Sequence, residues 1–381
     1  MSDVVPDGLD EMDHFADEFE RLGRAAGAEL RATPTSDGER AVARSAGRRR
    51  SALAAGKVAI ALALVVGTAW VVRSDDQPLI PSDDLPVPVD PGWIAYEARL
   101  DDRLLLFLIR PDGSDPHPLV PELDGGDQSK PDWSPDGKQI VFTMADGGRE
   151  SLWTVGVDGS NPQMLLECSD ECAFLDDPSW SPDGGHVVYG RMANDGDRAI
   201  GTLEQVDLAT GTVEVLLEGE GHDFFAGPRW SPDGRSLVVE VVHRDTPTLE
   251  AEVTGETLSV VDLRGSTPTV QPLPGASADA VNPDWSPRGD LIVYAAPASP
   301  TATNNDLFTI APTGGSPQRI TFFADDGGYA AFPSFDHSSH RIVFSAVTPN
   351  SAPMLAHVDI DGDNLVNKIG QAFVSASHPR P

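Results

Sequence analysis

From residue 131 onward, apolar positions fall in short runs of three or four, and polar turns separate them at even intervals. Pro131-Asp132-Trp133-Ser134-Pro135-Asp136-Gly137 leads into Ile140-Val141-Phe142, and the same order returns four times. The returns begin at Pro178, Pro228 and Pro283, with a worn copy at Pro333-Ser334-Phe335-Asp336. The aromatic positions Trp133, Trp180, Trp230, Trp285 and Phe335 are spaced by 47, 50, 55 and 50 residues. Each unit predicts an aromatic strand, a tight turn and an apolar strand such as Leu291-Ile292-Val293-Tyr294. A third strand follows at Leu152–Val155, Leu258–Val261, Leu307–Ile310 and Met354–Val358, and a fourth at stretches such as Gln163–Leu166 and Gln318–Thr321. Four short antiparallel strands in a period of roughly 40 to 50 residues is the sequence mark of a β-propeller blade.

The turn chemistry agrees. Pro presets φ at the first corner, Asp bonds the backbone two residues on, and Gly accepts the positive φ that closes the hairpin. One Trp per unit at one register is what packing between neighbouring blades demands. Trp133, Trp180, Trp230, Trp285 and Phe335 are therefore read as structural, and Asp136, Asp183 and Asp233 as turn residues rather than paired catalytic acids.

The Pro-x-Trp-Ser-Pro-Asp-Gly run with an apolar strand behind it resembles the TolB-type, WD40-like propeller repeat. The resemblance covers residues 131 to about 370 and implies an all-β, six-bladed propeller of four-stranded antiparallel blades. A degenerate blade is expected before the five copies. Trp93–Tyr96, Leu104–Ile109 and Arg110–Gly113 match its second strand, third strand and turn, so the propeller spans 92–381. Its first strand is open: Leu85–Val89 stands in the right place but carries two prolines that suit only an edge. Ala372–Ser375 is expected to close the ring instead. TolB proteins are soluble periplasmic propellers with an α/β domain before the blades, working through lipoprotein and Tol partners. That domain is absent here, so those partners are not carried over.

Ahead of the blades the pattern changes. Leu9, Met12, Phe15, Phe19, Leu22, Ala26 and Leu30 recur at helical spacing within an arm over 1–50. That helix either rests weakly on the membrane or a neighbour, or docks a cytoplasmic protein through residues 9–30. Residues 51–73 hold the long apolar stretch, with Lys57 able to snorkel, and are expected to form one transmembrane signal anchor. A cleaved signal peptide fits less well, because its charged segment would be some 50 residues long. Arg44, Arg48, Arg49, Arg50 and Lys57 precede the span and Asp75, Asp76, Asp83 and Asp84 follow it, which puts the arm in the cytoplasm and the propeller outside. The Pro-rich linker 74–91 holds the propeller off the membrane.

Charge narrows the partners. The formal net charge is −33, and residues 74–381 hold 17 Lys plus Arg against 49 Asp plus Glu. Such a surface repels phosphate backbones, so no nucleic acid partner is expected. Cys168 and Cys172, outside the membrane, are expected to form a disulfide; two thiols alone supply too few ligands for a structural zinc. The run Asp359–Asn364 has its Gly at the fourth place, unlike a calcium loop, and reads as a hairpin.

Candidate chemistry gathers on the connectors between blades, which share one face of a propeller. Glu122, Asp124 and Asp127 lie in the first, Asp170, Glu171, Phe174, Asp176 and Asp177 in the second, and His222, Asp223, Phe224 and Phe225 in the third. Asp325, Asp326, Tyr329 and Phe332 lie in the fifth. Acidic groups interleaved with aromatics could grip a cationic or peptide ligand. The competing reading is turn acids plus aromatics that plug the seams between blades. No Gly-x-Ser-x-Gly elbow, phosphate loop or cofactor motif stands out, so neither catalysis nor a cofactor is expected. Two roles remain: an extracytoplasmic binding or scaffold module for a protein, peptide or envelope polymer, and a transmembrane regulator resembling anti-sigma proteins in layout.

Overall fold

The computed structural model describes residues 68–71 and 92–371, apart from 101–102, 124–125, 169–171, 197, 249–250, 337 and 350. Six four-stranded antiparallel sheets follow one another along the chain, each made of consecutive strands. Blade 1 comprises β1 (Thr68–Val71), β2 (Ile94–Leu100), β3 (Arg103–Ile109) and β4 (His117–Pro118). Blade 2 comprises β5 (Asp127–Trp133), β6 (Gln139–Asp146), β7 (Arg149–Gly156) and β8 (Gln163–Glu167). Blade 3 comprises β9 (Cys172–Trp180), β10 (His186–Asp195), β11 (Arg198–Asp207) and β12 (Val213–Glu218). Blade 4 comprises β13 (Phe224–Trp230), β14 (Ser236–Arg244), β15 (Val253–Asp262) and β16 (Thr269–Pro272). Blade 5 comprises β17 (Val281–Trp285), β18 (Ile292–Pro297), β19 (Asn305–Ile310) and β20 (Gln318–Arg319). Blade 6 comprises β21 (Tyr329–Phe335), β22 (Arg341–Val347), β23 (Met354–Asp359) and β24 (Val366–Gln371).

The repeated turn joins the first and second strands. In blade 2, Gly137 N donates to Ser134 O at 2.9 Å, Ser134 Oγ to Asp136 Oδ1 at 2.8 Å, and Gln139 N to Ser134 Oγ at 2.9 Å. Blade 5 has Arg288 where the turns of blades 2, 3 and 4 have Asp, and Asp290 takes over, accepting from Ser286 Oγ at 2.8 Å. Blade 6 exchanges the roles: Ser338 Oγ donates to Asp336, which stands at the usual Ser position. The turn Gly also serves the seam. A Cβ on Gly184, Gly234 or Gly289 would lie 3.4, 3.9 or 3.2 Å from the ring of Pro135, Pro182 or Pro232 of the preceding turn.

The aromatics fill the seams, as the spacing predicts. Trp180 packs with Val141 and Leu152 of blade 2, Trp230 with Val188 and Leu203 of blade 3, and Trp285 with Val238 and Leu258 of blade 4. Phe335 meets Val293 and Leu307 of blade 5. Carboxylates lock two of these seams: Asp132 Oδ2 accepts from Trp180 N at 2.5 Å, and Asp284 Oδ2 from Phe335 N at 2.9 Å.

Ring closure differs from expectation. The innermost place in blade 1 belongs to β1, which pairs with β2 so that Val71 faces Ile94 as Trp133 faces Ile140. The apolar side of β2 and β3 is complete only with Val343, Leu355 and Ile369 of blade 6, which join Ile94, Leu106 and Leu108 in one cluster. Ala372–Ser375 and Leu85–Val89 lie outside the described residues, as do the arm 1–50 and residues 51–67 and 72–73 of the apolar run. Thr68–Val71 of that run is strand, and among the described residues no helix is long and apolar enough to cross a membrane.

Two predictions follow from this packing. Trp230→Ala should cost about 3 to 5 kcal/mol in urea unfolding, because it opens a cavity between blades 3 and 4. Trp230→Phe should cost less than half of that, since the Trp230 indole N–H bonds nothing and blade 6 already uses Phe335. The Cys168–Cys172 disulfide, with its Cα atoms 5.1 Å apart, should leave no thiol to label in the denatured, unreduced protein. Closing so short a loop is worth about 2 kcal/mol, and double replacement by Ser should lower stability by no more than that.

Candidate functional site

Five of the six innermost strands carry a bulge at the same place. Pairing with the second strand slips between Ser129 and Asp132, Ala226 and Arg229, Val281 and Asp284, and Ala331 and Ser334, and opposite Val188 and Gly190 in blade 3. The residue just before the repeat proline is left-handed in each: Lys130 at φ 54°, Asp177 at 37°, Gly227 at 52°, Asn282 at 52° and Phe332 at 53°. Only Gly adopts this conformation freely; other residues held there cost of order 1 kcal/mol or more. The motif around the position is nearly constant, yet the position itself is Lys, Asp, Gly, Asn and Phe.

Buried carboxylates meet the bulges. Glu97 on β2 accepts from Lys130 N at 2.8 Å, and Glu240, at the matching place on β14, accepts from Asn282 N at 2.5 Å. Both side chains are nearly fully buried, at 3% and 2% exposure. In blade 2 the matching place holds Thr143, also buried. Lys130 Nζ reaches across to Asp176 Oδ1 on β9 and lies 3.9 Å from Asp177 Oδ2. Arg229 approaches Asp177 from blade 4 at 3.7 Å, and Glu150 Oε2 on β7 accepts from Leu175 N at 2.7 Å. The inner layer therefore holds a series of charged groups running from blade 1 to blade 4, which ends on the Asn282 backbone amide of blade 5.

Its balance is negative. Burial pushes the pKa of Asp176, Glu150, Glu240 and Glu256 upward. At Glu240 the carboxylates of Glu256, Asp177 and Asp176 add to the effect, and at Glu256 that of Asp279. For Lys130 burial works against the charge, but Asp176, Asp177 and Glu150 more than reverse it, and its pKa rises. Asp176 Oδ1 is held by Lys130, whereas Asp176 Oδ2 has no hydrogen-bond partner; Asn282 Oδ1 and Thr143 Oγ1 have none either. Among the described residues, no three His, Cys, Asp or Glu side chains are grouped to hold a metal ion.

The residues read from the connectors divide into three groups. Asp176 and Asp177 belong to β9 and the channel layer rather than to a loop. Phe224 and Phe225 open β13 and are buried, at 1% and 5% exposure. Phe224 meets Phe174 edge-on with centroids 5.6 Å apart, so these rings plug a seam. His222, Asp223, Asp325, Asp326 and Tyr329 stay near the rim. There His222 O accepts from Arg244 Nε at 2.7 Å, and Asp223 Oδ2 stands 3.0 Å from His243 Nδ1. His243 Nε2 in turn lies 3.0 Å from Thr257 Oγ1, which ties the connector to β14 and β15. Asp325 and Asp326 end a 3-10 turn, Phe323–Asp326, whose first amides and the Arg319 guanidinium are bound by fully buried Asp306. Arg319 also pairs with Asp325 at 2.6 Å and stacks on exposed Phe322. Tyr329 is half-buried, which raises its phenol pKa.

Lys130, Arg229, Glu97, Glu150, Glu240, Glu256 and Asn282 are absent from the sequence reading. The residue before each repeat proline is the signal available in the chain, since it varies beside a largely constant motif.

No family model matches the chain. An uncharacterized protein of Agrobacterium fabrum is 34% identical over 111 residues, which is 29% of this chain and 38% of that protein. The chain thus spans about two fifths of the length of the curated relative it matches. TolB from Acinetobacter baumannii shares the fold with a TM-score of 0.55 at 19% identity, over 72% of this chain and 63% of that one. A putative TolB from Agrobacterium tumefaciens gives 0.51 at 19%, over 69% and 88%. Hydrazine synthase of Kuenenia stuttgartiensis gives 0.54 at 13%, over 70% and 41%. Likeness at such identities is one of fold. In fold, the chain is a TolB-like six-bladed β-propeller.

Proposed function

We propose that this chain is a membrane-anchored, extracytoplasmic and non-catalytic binding module, which holds a protein or peptide at the connector face and channel of its propeller. The observation that carries the reading is the bulge layer. Five innermost strands hold a left-handed residue before the repeat proline, four of them strained because the residue is not Gly, and its identity differs from blade to blade. Strain kept at one place and varied side chains at and beside it are features of a recognition surface. The TolB-like fold supports a binding or scaffold role at the level of architecture. The disulfide suits an oxidising compartment outside the membrane.

Anchoring rests on the apolar run 51–73. A span reaching Arg73 and strand β1 draw on the same four residues, Thr68–Val71. An anchored chain must therefore fill the innermost place of blade 1 with another strand, and Ala372–Ser375 and Leu85–Val89 have the pattern for it. Alkaline carbonate extraction with protease protection checks this: the protein should stay in the membrane pellet, with residues 1–50 shielded and the propeller open to protease from outside. Release into the carbonate supernatant would remove the anchor.

Crosslinking with mass spectrometry on the full-length protein in its own membrane tests binding. An external partner should be captured equally with and without residues 1–50. Capture should fall severalfold for Asp325→Lys with Asp326→Lys on the connector face, and stay unchanged for Asp136→Lys on the opposite face. Equal capture by all three proteins would sink the assignment to this face. A cytoplasmic protein captured only by the intact arm would favour a regulator.

A further inference from the structure

The channel layer buries more negative than positive charge. Asp176 and Glu240 are 1% and 2% exposed, and Lys130 and Arg229 are the cations set against the carboxylates of this layer. A buried carboxylate normally has its oxygens satisfied, because an unmet acceptor keeps its desolvation cost. Asp176 Oδ2 is unmet while its other oxygen is held by Lys130. The backbone amide of Gly227 also favours the charged form of this carboxylate, and Oδ2 is still left without a partner.

Position brings a second unmet acceptor to the same layer. Asn282 Oδ1, at the bulge of blade 5, is buried and bonds nothing. Glu240 links the two, since it accepts from Asn282 N at 2.5 Å and is repelled by Asp176 and Asp177. Gly227, the bulge residue of blade 4, has no side chain to intervene, and a Cβ there would come within 2.9 Å of Glu240 Oε1. Innermost strands of blades 3 and 5, with Glu240 of blade 4 between them, thus carry unmet acceptors and negative charge, and the donor that would complete them is a cation with several N–H groups.

We propose that Asp176, Glu240 and Asn282 form a subsite for the cationic end of a peptide side chain, a guanidinium or an ammonium group. This deepens the binding reading above and rests on it. A guanidinium suits the subsite because it carries donors in a fixed plane and gives up water more readily than an ammonium does. The excess of acid over base in residues 74–381, 49 against 17, draws such a group towards the channel. Binding is coupled to protons. Burial, and at Glu240 the neighbouring carboxylates as well, raise the proton affinity of these groups, whereas a bound cation favours their ionised form, so the ligand favours proton release and binds more tightly as pH rises.

Calorimetry on the full-length protein in detergent tests this, with acetyl-Gly-Arg-Gly-amide, its Lys counterpart and its citrulline counterpart as probes. Citrulline keeps the shape of Arg and lacks the charge. Expected are binding of the Arg or Lys peptide, binding weaker by roughly tenfold or more for citrulline, and a similar loss in Asp176→Asn. Heats should vary with buffer ionisation enthalpy in the sense of proton release, and affinity should be higher at about pH 7.5 than at about pH 5.5. Asn282→Ala, which removes the other unmet acceptor, should also weaken binding and keeps the test open if Asp176→Asn does not fold. The subsite is overturned if citrulline binds as well as Arg, if neither cationic peptide binds, if both variants bind as the parent does, or if calcium chloride alone gives the same Asp176-dependent heat. External partners still captured by both variants would leave the binding module standing without this subsite.

Discussion

Contact between neighbouring innermost strands is the constraint on which the rest depends. A four-stranded blade cannot bury both of its faces alone, and each one here is completed by the next. The aromatic ending five of the innermost strands sits among residues of the preceding blade, as Trp230 does against Val188 and Leu203. Backbone amides at the same point need acceptors in a seam without water, and Asp132 and Asp284 supply them from one blade back. Turn, strand and seam are thus satisfied by one seven-residue motif, which explains why Arg288 in the blade 5 turn is balanced at once by Asp290.

Close approach at the centre has a cost, and the bulges absorb it. Inserting a left-handed residue before each proline turns the strand so that the aromatic can enter the seam. It also strips a backbone N–H from the ladder, and the chain answers with Glu97 and Glu240 from the blade before. Acid therefore enters the core as a consequence of architecture in at least two places. Asp176 is different, because its bond goes to the Lys130 side chain and its second oxygen is unmet.

What could be read from the chain follows from what is local. The turns, the seam aromatics, the second and third strands of blade 1 and the disulfide each leave their mark within a few residues. Asp176 and Asp177 were read as loop because Asp is depleted from strands, whereas a bulged strand with cross-blade partners accommodates both. Phe224 and Phe225 look like exposed aromatics beside His222 and Asp223 until β13 is seen to begin there. The capture of Arg319, Thr321 and the Phe323 amide by Asp306 joins residues 13 to 17 apart with no recurring spacing to announce it. Strand β1 leaves no mark of its own in the chain, since a continuous apolar run has no period to separate strand from helix.

Solubility is the simplest reason for an acidic exterior, and it explains Asp136, Asp158 or Asp361, which stand in water at turns. It does not extend inward. A carboxylate at 1 or 2% exposure adds nothing to the interaction with solvent and costs several kcal/mol to desolvate unless paired. Replacing Asp176 by an apolar or amide group of like size would remove that cost, and the other blades show that the scaffold permits it, with Ser129, Ala226, Val281 and Ala331 at the matching place. Two of the 17 basic residues of the propeller half are spent on partial neutralisation inside a chain that is short of them. A charge distribution that is costly, avoidable and only partly balanced is explained by a partner that supplies the missing positive charge, and the surface field outside is of the sign that would bring it in.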